Sequence, residues 1–313
     1  MIYCYSNVSK SKGVSDKVSR QVDLLKVAHD NIVELNKFNL FLLCIKYFAI
    51  RDKGRWYFRE GLLVNIFILL TANMNFVLEL NRPLSSIKGR RSKFILWVRR
   101  SILLNVLSKS GKIISISSEI HNSLPEAEKL KSMVFPNFFG FDFRGIEQHK
   151  KIKKKTYDLV IVADLEQPWQ AKDFLEEYLI RFPSRTLVHI GKGTLNLPNV
   201  TSLGVIEDLS VLRSEIQTAC VAISQLGLKR IGMVEATPLK HVDYVMSGFP
   251  IISGAMDILL DGVYPIYKLS KEDVEQLEAI LVKIENSYQN VSLEELQKRV
   301  NYYEKQFYLA CKS

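Results

Sequence analysis

The stretch that decides the fold runs from residue 220 to residue 253 and reads CVAISQLGLKRIGMVEATPLKHVDYVMSGFPIIS. It begins with the apolar run CVAISQL and ends with a second apolar run, FPIIS. Between them, PLKHVDYVMS predicts a helix, and Pro238 suits the first helical position. Short apolar strands joined by a helix are typical of a parallel sheet that is covered on both faces.

The same alternation of strand and helix continues through residues 151–313. Strands are predicted at YDLVIVADL (157–165), TLVHIG (186–191) and VTSLG (200–204). Helices are predicted at AKDFLEEYLIRF (171–182), at LSVLRSEIQT (209–218) and after residue 270. This half therefore predicts a doubly wound parallel sheet of the Rossmann type.

The first half of the chain has the same α/β character. Strands are predicted at MIYCYS (1–6), NFVLEL (75–80) and GKIISIS (111–117), and helices within 9–30 and 90–110. The polar, lysine-rich segment 146–156 marks a boundary near residue 150. We therefore expect two Rossmann-like domains, 1–150 and 151–313, facing across a cleft, with the terminal helix packing back on the first domain.

Composition excludes several classes of protein. The chain has 313 residues, 47% of them hydrophobic and 24% charged, and its four cysteines lie far apart, so neither a zinc site nor a disulfide framework is indicated. The N-terminus lacks the pattern of a secretory leader, which favours a cytoplasmic protein. Segment 61–80 is apolar but interrupted by polar residues, and it predicts a buried helix and strand, not a membrane span.

The net charge of +10 is concentrated in one part of the sequence. Residues 41–100 contain twelve Lys or Arg against three acidic residues. Such a surface attracts phosphate groups, whether of a nucleic acid, an anionic lipid or a charged substrate. The alternative is a solvated face that only aids solubility.

The loop after CVAISQL carries the richest set of candidate functional residues. Thr237 is expected to cap the helix, and Lys240 adds a positive charge in the first turn, so the helix start is suited to an anion. Glu235 lies before the helix and Asp243 within it, which argues against a metal pair. The histidines show no metal-ligand spacing either, so no metal site is predicted. Taken one at a time, these residues would each be ordinary surface residues.

Several segments together resemble the GT-B glycosyltransferases of family 4, in particular those of bacterial surface-polysaccharide assembly. The segment 227–252 is similar to the donor-site run of that family, with two acids separated by seven residues. Residues 158–178 and 187–206 resemble the strand-and-loop segments that precede it, and 115–124 and 135–143 resemble the end of its first domain. Three positions depart from the family pattern: Asp243 for Glu, Ala171 for Gly and Phe138 for Gly.

The resemblance implies transfer of a sugar from a nucleotide-diphosphate donor to a hydroxyl acceptor, with retention of configuration and no required metal or other cofactor. Glu235 would contact the donor sugar as a catalytic residue, and Asp243 would contact the ribose. The base would lie near Gly191 and Lys192. The remaining donor-binding residues would hold the diphosphate: Lys172, Arg230, Ala236, Thr237, Pro238, Leu239 and Lys240.

In the first domain, Glu79 is the candidate residue near the reacting centre. The residues expected on the acceptor and membrane side are Gly13, Arg55, Arg59, Asn81, Arg90 and Arg91. The family commonly extends lipid-linked glycans, so the basic segments would face an anionic inner membrane, with Trp56 and Trp97 at the interface. Core packing is the alternative for both tryptophans.

The leading prediction is therefore a retaining glycosyltransferase that is peripheral on the cytoplasmic face of the membrane. Its partners would be a nucleotide sugar and a glycan or lipid-linked glycan. A non-catalytic partner subunit or glycan-binding module with the same fold is the alternative. Nucleic-acid binding is not expected, because the basic segment lies on no recognisable nucleic-acid module.

Overall fold

The computed structural model describes residues 2–5, 32–35, 55–71, 75–81, 83–84, 93–137, 143, 156–286 and 292–312. The chain divides into two compact units. Unit 1 comprises Met1–Gly140 and Asn301–Ser313, and unit 2 comprises Phe141–Val300. The boundary predicted from the sequence is near residue 150. The helix predicted within 9–30 lies outside the described residues, as do Gly13, Arg90, Arg91 and Phe138.

Unit 1 contains a six-stranded sheet in which every strand pair is parallel. The strands are β1 (Ile2–Tyr5), β2 (Ile32–Leu35), β3 (Arg55–Arg59), β4 (Asn75–Leu80), β5 (Lys112–Ser115) and β6 (Ser132–Val134). The described helices of this unit are α1 (Leu62–Leu70), α2 (Lys93–Lys109), α3 (Ser118–Asn122) and α4 (Glu126–Lys129). The strand order is β2-β1-β3-β4-β5-β6, so the sheet is doubly wound about β1 and β3.

The strand β3 was missed in the sequence, and it is central to the sheet. Its residues Trp56, Tyr57 and Phe58 are 6%, 2% and 1% exposed. A strand buried on both faces shows no alternation of polar and apolar residues, and here arginines at both ends resemble a surface segment. Trp56 stacks on Phe58 with ring centroids 5.8 Å apart. For Trp56 the core alternative is thus correct, and the predicted place at a membrane interface is wrong.

Segment 61–80 folds as predicted, into the helix α1 and the strand β4. In α1 the side chains of Val64, Phe67 and Ile68 are buried. In β4 every residue after Asn75 is buried. Within the described part of the chain, the helices are too short or too polar to cross a membrane.

Unit 2 contains a second six-stranded parallel sheet. Its strands are β7 (Tyr157–Val162), β8 (Leu187–Ile190), β9 (Val200–Ser202), β10 (Ala219–Ile223), β11 (Ile251–Ser253) and β12 (Ile266–Lys268). Its described helices are α5 (Lys172–Arg181), α6 (Leu209–Ile216), α7 (Lys240–Met246) and α8 (Val274–Asn286). The C-terminal helix α9 (Leu293–Lys312) begins in unit 2 and ends in unit 1.

The strand order β9-β8-β7-β10-β11-β12 is that of a Rossmann sheet. The order of the strands reverses between β7 and β10, which lie side by side. Ligands of doubly wound sheets bind at such a switch point, outside the carboxyl ends of the strands. The loops that follow β7 and β10 are therefore the expected location of a ligand site. The predicted doubly wound architecture of this half is confirmed.

Candidate functional site

The loops after β7 and β10 interlock at the switch point. Each contains a short 3-10 turn, Pro168–Gln170 after β7 and Leu228–Ile231 after β10. The amide of Gly227 donates to the backbone oxygen of Trp169 at 3.0 Å, a distance typical of backbone hydrogen bonds. A Cβ atom at Gly227 would lie 2.9 Å from the oxygen of Pro168, so this close approach requires glycine.

The loop after β8 lies against the loop after β7. Gly191 has φ of +141°, and a Cβ atom there would lie 1.9 Å from the oxygen of Ala163. The buried His189 bonds through Nε2 to the same oxygen at 3.1 Å, and burial lowers its pKa. The exposed Lys192 accepts a backbone bond from Leu165 at 2.9 Å. Gly191 and Lys192, predicted to lie near the base, thus stand at the switch-point edge of the sheet.

Lys240 is the basic residue with the most unusual environment in this region. Its half-buried amine donates to Oε1 of Gln170 at 3.2 Å. Burial lowers its pKa to about 7. Among the residues that the structure describes, no carboxylate forms an ion pair with it. Burial is the main cause that lowers the pKa of His189, and the charges of Lys240 and Lys172 lower it further, whereas the bond to Ala163 raises it. Both amines therefore act on one neighbourhood.

The other two predicted cations already have acidic partners. Lys172 is the first residue of α5, 40% exposed, and its amine lies 3.7 Å from Glu176. Arg230 forms ion pairs with Asp173 at 2.6 Å and with Glu272. The hydrogen bond from Arg230 lowers the pKa of Asp173. The charge of Arg230 is therefore largely balanced within the protein, whereas that of Lys240 is not.

Glu235 is held by backbone pairing with the loop after β11. It forms a parallel bridge with Met256, whose amide donates to the oxygen of Val234 at 2.8 Å. The amide of Ala236 donates to the oxygen of Met256 at 2.9 Å. The amide of Ala236 is therefore already paired within the protein, and a contact of Ala236 with a diphosphate stays a prediction. The carboxylate-bearing residue Glu235 itself is 4% exposed.

The helix α7 begins at Lys240, two residues later than predicted, and has seven residues. Leu239 occupies the N-cap position without a side-chain bond, so the predicted cap at Thr237 is wrong. The hydroxyl of Thr237 donates instead to Oδ1 of Asp257 at 3.2 Å, a tertiary contact that replaces the local cap. Pro238 precedes the helix, and its oxygen accepts the amide of His241.

Asp243 lies in the first turn of α7, on the partly exposed side of the helix. Its Oδ1 is 3.4 Å from the guanidinium of Arg213, which comes from α6. Asp243 and Glu235 are thus placed differently, one paired at the flank of the helix and the other buried before it. The predicted contact of Asp243 with a ribose stays a prediction.

A buried polar network that the sequence did not reveal lies behind these loops. His241 bonds through Nδ1 to Oδ2 of Asp257 at 2.7 Å and through Nε2 to the hydroxyl of Ser224 at 2.6 Å. The partners are 16 and 17 residues from His241 in sequence, a spacing that no local motif marks. Gln170 and His189 were missed for the same reason.

Unit 1 gathers part of the predicted acceptor-side set at one edge of its sheet. Arg59 ends β3 opposite Glu79 of β4, and its guanidinium lies 3.6 Å from the Glu79 carboxylate and 3.2 Å from Oδ1 of Asn81. Glu79 is 1% exposed and accepts the hydroxyl of Tyr57 at 2.5 Å. Arg55 begins β3, so the strand places it at the opposite edge from Arg59. A role for Glu79 at the reacting centre stays a prediction.

Metal ligands were not predicted, and the described residues contain no group of three or more His, Cys, Asp or Glu arranged to hold a metal ion. The site is instead rich in glycine turns, amines and hydroxyls.

Comparison with known proteins identifies the fold. No protein-family model and no curated protein sequence matches the chain. Among solved structures, it is similar to sucrose-phosphate synthase from Thermosynechococcus elongatus, with a TM-score of 0.65 and 12% identity over 98% of this chain and 96% of the other. It is also similar to HepE of Anabaena, solved in complex with UDP and glucose, with a TM-score of 0.60 and 13% identity over 99% and 96%.

A third similar structure is a glycosyltransferase from Rickettsia africae, with a TM-score of 0.58 and 13% identity over 100% of this chain and 94% of the other. The two parallel sheets and these likenesses define a GT-B fold, as the sequence predicted. At 12–13% identity the likeness establishes the fold alone. Membership of family 4 stays a prediction.

Proposed function

We propose that the protein is a glycosyltransferase that binds a nucleotide-diphosphate sugar at the carboxyl edge of the unit 2 sheet. The observation that carries this proposal is Lys240, a half-buried amine at the switch point that has no carboxylate partner among the described residues. Burying an amine without an opposite charge is unfavourable, and an anionic ligand would compensate it. The similar protein HepE was solved with UDP and glucose.

The proposed chemistry follows from the charge of the leaving group. When the bond between the sugar and the diphosphate breaks, negative charge grows on the diphosphate. Fixed cations aimed at it stabilise the transition state, and Lys240 with Lys172 would supply them. Such an arrangement can operate without a metal ion. The retaining course and a place in surface-polysaccharide assembly are part of the proposal, and they derive from the sequence resemblance.

In this proposal Glu235 contacts the hydroxyls of the donor sugar. The ribose would lie near Asp243, and the base near Gly191 and Lys192. Arg230 contributes indirectly, since its ion pairs join the loop after β10 to Asp173 at the start of α5 and to Glu272 just before α8. The acceptor is proposed to be a glycan or a lipid-linked glycan.

The test is calorimetric titration with UDP, GDP, dTDP and CMP, followed by hydrolysis assays with the matching nucleotide sugars. We expect one nucleotide to bind, and Glu235→Gln to lower turnover by about a hundredfold or more, as is typical when one polar contact to the transition state is removed. Glu207→Gln, at an exposed position of the same unit, is the matched control and should keep full turnover. If no nucleotide binds and no nucleotide sugar is hydrolysed, the proposal is wrong.

A non-catalytic partner subunit is the second candidate. Two observations favour it: the guanidinium of Arg230 is balanced by two carboxylates, and the amide of Ala236 is already bonded to Met256. The first reduces the positive charge available to a diphosphate, and the second removes one N–H donor. Turnover by the isolated chain that is lost in Glu235→Ala would exclude this candidate, whereas glycan binding without any turnover would support it.

A membrane-facing surface is proposed for α2. Phe94 and Trp97 are 71% and 64% exposed, and their rings stack with centroids 6.2 Å apart. Between Glu79 and Glu119 the sequence has nine Lys or Arg and no acidic residue. Exposed aromatic rings in a segment of one positive sign match the interface of an anionic bilayer, where a lipid-linked acceptor would lie.

Vesicle sedimentation tests this surface. We expect binding to vesicles that contain phosphatidylglycerol, little binding to pure phosphatidylcholine, and loss of binding in the double variant Phe94→Ser with Trp97→Ser. Leu130→Ser, which changes a residue 92% exposed outside the basic segment, is the control. Equal binding of both kinds of vesicle, or full binding by the double variant, would exclude the proposed surface.

A further inference from the structure

Ser224, His241 and Asp257 form a continuous buried network in unit 2. The distances are 2.7 Å from His241 Nδ1 to Asp257 and 2.6 Å from His241 Nε2 to Ser224. A carboxylate can only accept, so the Nδ1–H group of the ring donates to Asp257. Ser, His and Asp in this order resemble a nucleophilic triad in their connections.

The exposure of the three residues argues against a nucleophilic role. Ser224 and His241 are 0% exposed and Asp257 is 1% exposed, so no substrate can reach the serine hydroxyl. A nucleophile must be within reach of the atom that it attacks. The network therefore acts on the protein itself.

The network joins three segments that come together at the carboxyl edge of the sheet. Ser224 directly follows β10, Asp257 lies in the loop after β11, and His241 is the second residue of α7. The carboxylate of Asp257 also accepts the hydroxyl of Thr237 and the amides of Leu259 and Leu260, at 3.2, 2.9 and 3.3 Å. One side chain thus bonds to α7, to the segment before it and to its own loop.

The helix α7 depends on such contacts. It has seven residues and no side-chain cap, and a helix that short is not stable by itself in water. Consecutive helical residues point about 100° apart. His241 therefore faces the buried network while its neighbour Lys240 reaches Gln170 in the loop after β7.

We propose that Ser224, His241 and Asp257 are positioning residues, which fix α7 and thereby hold Lys240 and Glu235 in place for a nucleoside diphosphate. This inference rests on the proposed function. It adds that the site is held by the buried network of Ser224, His241 and Asp257, as well as by the backbone pairing of Glu235 with Met256. Groups displaced by about 1 Å from their productive positions can lose roughly a hundredfold in rate.

The experiment compares His241→Gln and Asp257→Asn with Asp158→Asn. Asp158 is the matched control because its carboxylate accepts the amide and hydroxyl of Thr186, at 2.7 and 2.9 Å, at the start of β7 and not at the carboxyl edge. UDP affinity by calorimetry and kcat/KM with a UDP-sugar are measured well below the unfolding temperature. The two network variants should lose roughly ten- to a hundredfold in kcat/KM, while the control keeps its activity even if it is equally destabilised.

A second measurement separates the network from the proposed function. In protein without ligand, hydrogen exchange of the α7 amides should become faster in His241→Gln and stay unchanged in Asp158→Asn. If the wild-type chain binds no nucleoside diphosphate, the proposed function fails, and exchange alone decides whether the network positions α7. Wild-type activity in folded His241→Gln, or unchanged exchange of α7, overturns the inference. If His241→Gln does not fold, Ser224→Ala, which removes one bond of the network, takes its place.

Discussion

Lys240 is a residue whose charge destabilises the folded chain. Its pKa falls from the ordinary 10.5 to about 7 because the amine is buried. Between these two values the unfolded chain binds more protons than the folded one, so the contribution of Lys240 to stability rises with pH across that window. Below about pH 7 the amine is charged in both states and the unfavourable burial is fully present. An amine whose pKa is strongly lowered by burial, at the switch point of a doubly wound sheet, is a candidate functional residue.

Lys240→Met should therefore stabilise the protein and weaken ligand binding at once. At about pH 6 we expect the free energy of unfolding to rise by on the order of 2 kcal/mol, less than the full pKa difference implies because the amine is only half-buried. The gain should shrink as the pH approaches about 10. Urea unfolding across this pH range measures the effect, and calorimetry measures the loss of UDP affinity.

The exposed Lys192, at the same edge of the sheet, supplies the control. Lys192→Met should change stability little at any pH, because an exposed amine is solvated in both states. A Lys240→Met variant whose stability differs from that of the wild type by the same amount at every pH would contradict the explanation given for Lys240.

At the scale of elements, the helix α2 ends with an unusual cap. The amine of Lys131 donates to the oxygens of Leu107, Ser108 and Ser110, at 2.7, 3.0 and 3.0 Å. These carbonyl groups lie at the end of the helix and have few helical partners of their own. A positive charge there also interacts favourably with the helix dipole, although burial lowers the pKa of Lys131.

Lys131→Met should lower the free energy of unfolding by about 1–2 kcal/mol, since it removes a charged donor from three carbonyl groups. Lys129→Met, two positions away, removes only the ion pair with Glu126, whose side chain is 88% exposed. Such exposed pairs contribute little, so that change should stay within about 0.5 kcal/mol. Equal effects of the two substitutions in urea unfolding would show that the cap does not stabilise α2.

At the scale of the whole molecule, the C-terminal residues complete the core of unit 1. Phe307 of α9 is 1% exposed, and its ring lies 5.8 Å from that of Tyr57 and 4.8 Å from that of Phe135. The core of unit 1 therefore includes a side chain from α9, which lies far from the strands in sequence. Contacts between residues this distant in sequence cannot be predicted from local patterns.

Phe307→Ala should destabilise unit 1 by about 3–5 kcal/mol, the usual effect of removing a buried ring. Hydrogen exchange should accelerate in β3, β4 and β5, and it should change little in β7 and β10. Leu309→Ala, at a position 46% exposed on the same helix, should leave the exchange of both sheets unchanged. Acceleration in unit 2 alone would contradict the assignment of these residues to unit 1.

The sequence by itself determined the alternation of strands and helices and indicated one loop as the candidate site. Short apolar runs and helical periodicity are local properties, so β7, β8, β10, β11 and the helices between them could be read directly. The loop after β10 was predicted as a candidate because glycines, charged residues and a helix start all lie within one short segment. The structure places that loop at the switch point of the sheet, and its function stays a prediction.

Only the tertiary structure decided which of two similar residues is buried and which groups meet. Trp56 is 6% exposed and Trp97 is 64% exposed, although each has basic residues nearby in the sequence. The start of α7 moved to Lys240 because Thr237 bonds to Asp257 instead of capping the helix. The buried network of Ser224, His241 and Asp257 likewise joins residues from three segments. Such contacts depend on how the sheet brings its loops together, and no local pattern of residues carries that information.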